Sequence, residues 1–128
     1  MMLGSLHIEF VVEAMLGKLL DGSGFTEIIK KAGVLTTGRA ESVISGTDKH
    51  LKRVRYTHQV FLAACMILCD EAYKQHVNTV GPCESGAWEE NMKKESLLFS
   101  FWVMVNDYQL MYLRFVRSIR KGDFELYV

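Results

Sequence analysis

The chain has 128 residues, with 15 Lys and Arg balanced by 15 Asp and Glu, and 49% hydrophobic residues. That length suits one domain with a single core, and the composition excludes a wholly disordered chain. The zero formal charge excludes a global attraction to nucleic acid or to an anionic membrane, so any such contact must come from a local cluster.

The apolar start at residues 1–3 reads as the end of a strand. Residues 6–20 read as a helix whose few polar positions include Glu9, Glu13 and Lys18. Glu9 and Glu13 are four apart and share one face. The rest of the circumference is mostly apolar, so this helix expects cover on several sides. Asp21-Gly22-Ser23-Gly24 ends it. Residues 25–32 form a short amphipathic helix, with Thr26 as its cap and Gly33 as its stop. Thr36 or Thr37 caps a brief helix running through Ile44.

Thr47 or Asp48 caps a long helix over 49–77. Its seam runs through Leu51, Val54, His58, Phe61, Cys65, Leu68 and Ala72 in steps of three and four. Its first turns hold Lys49, His50, Lys52, Arg53 and Arg55. Cations there oppose the helix dipole, at a cost of a few tenths of a kcal/mol each, roughly. A helix selected only for stability would not prefer that order. The loop that follows contains Pro82, the sole proline. Ser85 then caps a second long helix, over 86–121. Its start is acidic and its end basic, as the dipole favours. Its polar stripe is Lys93, Ser100, Asp107, Arg114 and Lys121. The fold expected is all-α: a helical bundle of two long antiparallel helices, 49–77 and 86–121, and three shorter ones.

Two apolar runs fail as membrane spans. Residues 60–69 are too short against the ~20 needed. Residues 97–116 contain Asn106, Asp107, Gln109 and Arg114, and a buried Asp or Arg costs about 2.5–3.5 kcal/mol at a helix centre. No membrane partner is expected. No secretory signal opens the chain, so Cys65, Cys69 and Cys83 read as reduced thiols of an intracellular protein, nuclear or cytoplasmic.

His58, Cys65, Cys69 and His76 share a helix face, but His58 and His76 are about 27 Å apart along it and cannot hold one ion. They read as core-lining residues, and no metal or cofactor is expected. His7 with Glu9 or Glu13 resembles an acid–base or metal-binding set. His7 and Glu9, two apart, point to different faces, which disfavours catalysis. No phosphate loop, nucleophile elbow or zinc-protease motif is present. The basic run is the one local cluster with a functional reading: Lys49, Lys52, Arg53, Arg55 and His58 at a helix start suit DNA phosphates. A solvated face, or pairing with the acidic segment 84–95, is the commoner meaning of such a run.

The segments MLGSLHIEF, LLDGSGF, GVLTTGRAESVISGT, RVRYTHQV, FSFW and RSIRKGDFELYV together resemble a multicopy family of uncharacterised animal proteins derived from mobile elements. Members of that family are similar to hAT-type transposases, which interrupt an RNase H-like nuclease core with a helical insertion. Gly4, Leu6 and His7 stand where the hAT-type strand–Cys–His segment would, with Gly4 in place of the cysteine. The resemblance implies that the 128 residues are one helical domain within a larger protein, without the catalytic carboxylates of the core. It implies a non-catalytic module that scaffolds the nuclease and contacts DNA, with the rest of the parent chain as partner. The alternative is a helical protein–protein interaction module, self-associating or binding another protein, with no nucleic-acid role. The apolar faces of 6–20 and 86–121 would then be its seam.

Overall fold

The computed structural model describes residues 2–45 and 50–121. Among them are helices α1 (Met2–Leu20), α2 (Phe25–Lys31), α3 (Thr37–Ser45), α4 (Leu51–Thr79), α5 (Ser85–Glu95) and α6 (Leu97–Lys121), and no strand. The chain is an all-α helical bundle. The two long helices are α4 and α6. They run antiparallel, since His58 meets Gln109 while Phe61, later in α4, meets Trp102, earlier in α6.

Two expectations are corrected, and a third lies outside the described residues. Met2 and Leu3 are helical, so no strand opens the chain. The expected caps Thr47 and Asp48 lie outside the described residues. The helix expected over 86–121 is two helices. Ser96 leaves the helical region at φ −135° and ψ 114°, and its hydroxyl accepts the Phe99 N–H at 3.1 Å. A serine oxygen that takes up an orphan amide just before the apolar run from Leu97 starts a new helix there. The bend folds α5 back so that Trp88 packs on Tyr73 and Phe99, with ring centroids 5.5 and 5.8 Å apart.

Local signals set the short connections. Gly24, in the left-handed region at φ 96°, precedes α2, and the Ser23 hydroxyl accepts the Phe25 N–H; the cap is therefore not Thr26. Beyond α2, Val34 N–H reaches Ile29 O and Gly33 N–H reaches Lys30 O. This pair of bonds, with Gly33 at φ 74°, closes the helix in the Schellman arrangement.

The main core joins Leu20 of α1, Phe25 and Ile29 of α2, Ala40 of α3, Phe61 of α4 and Val105 of α6. A second cluster, Leu16, Tyr112 and Val116, welds α1 to α6. The α4 seam follows expectation through Phe61 and Cys65. It then departs, because Leu68 is 64% exposed and Tyr73 and His76 turn inward against Trp88. Once α5 folds back, the surface to be covered on α4 is the face of Tyr73 and His76, not the expected line through Leu68 and Ala72.

Helices α1 and α3 touch at Gly17. A Cβ there would lie 1.9 Å from the Ile44 carbonyl oxygen, a backbone atom that cannot swing away. Elsewhere in a helix alanine is worth up to about 1 kcal/mol over glycine. Gly17→Ala should instead destabilise the chain by about 1–3 kcal/mol, the usual cost of overpacking. Gly4→Ala, where a Cβ meets nothing within 4 Å, should be neutral or stabilising. Urea denaturation of both variants checks the contrast, and equal midpoints would refute the close α1–α3 crossing.

Candidate functional site

The two carboxylates of α1 face inward. Glu9 is 0% exposed and Glu13 is buried. Their spacing of four places both on the side of α1 that meets α4 and α6. Arg55, one turn into α4, binds Glu9 through two bonds: Nε to Oε2 at 2.8 Å and Nη2 to Oε1 at 2.6 Å. The two-pronged fit of guanidinium to carboxylate is among the stronger charge-assisted arrangements. Tyr112 of α6 closes the set. Its hydroxyl donates to Glu13 Oε2 at 2.5 Å, with Glu9 Oε2 at 3.3 Å.

A second polar pair continues this cluster across the bundle. His58 is 1% exposed. Its Nδ1 lies 3.1 Å from Gln109 Nε2, and Asn106 Nδ2 donates to Gln109 Oε1 at 3.1 Å. The His58 ring stacks on Phe25 and meets Tyr112 edge-on. No buried side-chain polar atom among the described residues lacks a partner. Such complete satisfaction is what makes a buried network tolerable.

Burial decides the charges. Removal from water pushes the Glu13 carboxyl up to about 7, helped by the neighbouring Glu9 charge and opposed by the Tyr112 hydroxyl. The Arg55 guanidinium is held above its usual range, chiefly by its bonds to Glu9. Burial, and then Glu13, keep the Tyr112 hydroxyl protonated well above the usual phenol range. Burial lowers His58 to about 4. Near neutrality the interior therefore holds one compensated ion pair, Glu9–Arg55, beside neutral His58 and Tyr112 and a Glu13 at the middle of its titration.

The expected phosphate-binding set is divided by this packing. His58 is in the core and meets no solvent. Arg55 faces inward to Glu9, its side chain 22% exposed. Lys52 is exposed and Arg53 half-buried. Lys49 lies outside the described residues. Of the motif Gly4, Leu6 and His7, Gly4 and His7 are exposed on the first turns of α1, and the Leu6 side chain lies outside the described residues. The structure brings Glu9 and Glu13 together without His7. No group of three or more His, Cys, Asp or Glu among the described residues could hold a metal ion. All three cysteines are free, and burial first of all raises the thiols of Cys65 and Cys69. No helix among the described residues is long and apolar enough to cross a membrane.

Above the polar cluster α1 and α6 leave an open groove of about 740 Å³, lined by Val12, Met15, Leu19, Tyr108, Met111 and Phe115, with Leu16 and Tyr112 also in its wall and Arg114 as the one charged residue among the described lining residues. The rims are exposed: Met15 by 64%, Met111 by 59% and Tyr108 by 48%. Sequence reasoning marked both helices as too apolar for solvent but missed the Glu9–Arg55 pair. The available signal was a carboxylate on a helix expected to be covered, which demands a cation from elsewhere.

Two outcomes test the buried cluster. Arg55→Met leaves Glu9 buried without its cation and should cost about 3 kcal/mol in urea denaturation. Adding Glu9→Gln to that variant should recover part of the loss, whereas purely additive effects would mean the pair is not coupled. The second outcome concerns pH. Glu13, raised when folded, contributes stability that is full below its unfolded value of 4.5 and is lost as pH rises to about 7. His58, lowered when folded, contributes stability that is full above 6.5 and is lost as pH falls to about 4. Between pH 4.5 and 6.5 the two slopes oppose and offset each other. Glu13→Gln should expose the His58 slope, with stability rising relative to the parent chain by up to about 1.4 kcal/mol per pH unit. A variant whose pH profile parallels the parent's would contradict the assignment. Comparison with family models, with curated proteins and with solved structures finds no match to this chain, so no relative lends it an activity.

Proposed function

We propose that this chain is a non-catalytic helical interaction module, which docks another protein segment in the groove between α1 and α6. The observation that carries the reading is that groove: a continuous apolar surface with exposed Met15, Tyr108 and Met111 at its rims. Exposed apolar surface that is contiguous and concave marks an interaction site more often than scattered single residues do. The acid–base candidates support the same reading. Glu9 and Glu13 are buried, with Arg55 on both Glu9 oxygens and Tyr112 on Glu13 Oε2.

In a transposase-like parent, as the sequence resemblance implies, the module would act as a scaffold, its groove receiving another part of the protein. Contact with DNA is the weaker companion reading. Two of the five residues expected to meet phosphates, Arg55 and His58, point into the fold.

The test is a titration with a neutral amphipathic helical peptide carrying leucines on one face and glutamines elsewhere, followed by fluorescence anisotropy. Micromolar binding is expected, weakened about ten-fold or more by Met15→Glu or Met111→Glu. Both residues are mostly solvent-exposed, so the variants should fold. Absence of peptide binding, together with duplex DNA binding that falls steeply with salt and with Lys52→Ala, would replace this reading by the DNA one.

A further inference from the structure

We propose that the occupant of the α1–α6 groove is an amphipathic helix of another protein segment with acidic residues along the border of its apolar face, and that Arg114 selects it. This rests on the interaction reading above and names the partner's chemistry.

Shape argues for a helix. On α1 the groove side carries Ile8, Val12, Met15 and Leu19, and on α6 it carries Met104, Tyr108, Met111 and Phe115. Both rows follow the same steps of four, three and four, the repeat that keeps residues on one face. The α6 row covers ~17 Å of helix axis at 1.5 Å per residue. Exposure continues beyond the groove walls, at Ile8 by 46% and Met104 by 39%. A compact ligand would leave those ends uncovered. Two apolar rows side by side, each at helical spacing, form the seat into which a third helix sets its own anchors.

Charge argues for acidity. Arg114 is exposed and is the one charged residue among the described residues that line the groove. It takes part in no hydrogen bond or ion pair among the described residues. A partner laid along α6 brings its border beside that guanidinium, where a carboxylate is favoured and a lysine repelled. A second copy of the chain fits less well. The described lining residues contain no acid, so among them two grooves face to face would offer Arg114 an apolar surface or another Arg114.

The experiment compares two helical peptides of about five turns, ~27 Å long. They share one leucine face and differ only in having glutamate or lysine along its border. Anisotropy is read at low and at physiological salt. The glutamate peptide should bind about five-fold more tightly, a preference of ~1 kcal/mol that shrinks with salt. Arg114→Glu should reverse the preference. If the peptides bind equally and Arg114→Glu changes nothing, the groove remains a docking site and the acidic partner is refuted. If neither binds and the chain stays monomeric in sedimentation, both this proposal and the interaction reading fall. If the chain dimerises, and Met15→Glu abolishes the dimer while no peptide competes, the occupant is a second copy and the acidic helix is refuted.

Discussion

The burial of Glu9 constrains the rest of the bundle. A carboxylate without solvent contact cannot stay charged unless a cation and further donors surround it. Arg55 supplies the cation from a helix 46 residues further along, and Tyr112 brings its hydroxyl from 103 residues away. One side chain thus holds α1 against α4 and α6 at a single register. Glu13, one turn on, solves the same problem by favouring its neutral form. His58 does so more completely. Near neutrality the interior thus carries one matched ion pair and a Glu13 at the middle of its titration, beside polar groups satisfied by hydrogen bonds.

This arrangement has a consequence for the outer surface. With α4 on one side of the α1–α6 pair, the opposite side of both helices stays uncovered. The bend at Ser96 contributes, because α5 folds back onto Tyr73 and Phe99 and so covers the α4 end of the bundle. A straight helix through 86–121 would not have brought Trp88 to Tyr73. The groove is therefore what remains when the described helices have met the demands of the buried cluster and the aromatic cluster around Trp88. Its apolar lining is a property of residues that found no cover within the bundle, which is why the function is sought there and not among the buried carboxylates.

Much of the helical architecture was legible. The stops at Asp21–Gly24 and Gly33 follow from local chemistry, and the two longest helices pair antiparallel as expected, although α5 stands between them in the chain. The seam of α4 was legible as far as Cys65. Beyond that point α5 decides which face is inward, and α5 is placed by the Ser96 bend. Serine is tolerated inside helices and favoured at their starts. Nothing in the neighbouring residues says which applies until Trp88 has a surface to pack on.

The sequence by itself determined that this chain is helical, that α1 and α6 are too apolar for solvent on all sides, and that cations crowd the start of α4. These are properties of periodicity and composition, which act within a few residues. Only the tertiary structure decided which of those cations meet water. Arg55 and Lys52 are three residues apart on one helix, yet one faces the Glu9 carboxylate and the other is exposed. That difference depends on a helix packed across from them, and a contact 46 residues away in the chain leaves no trace in local spacing.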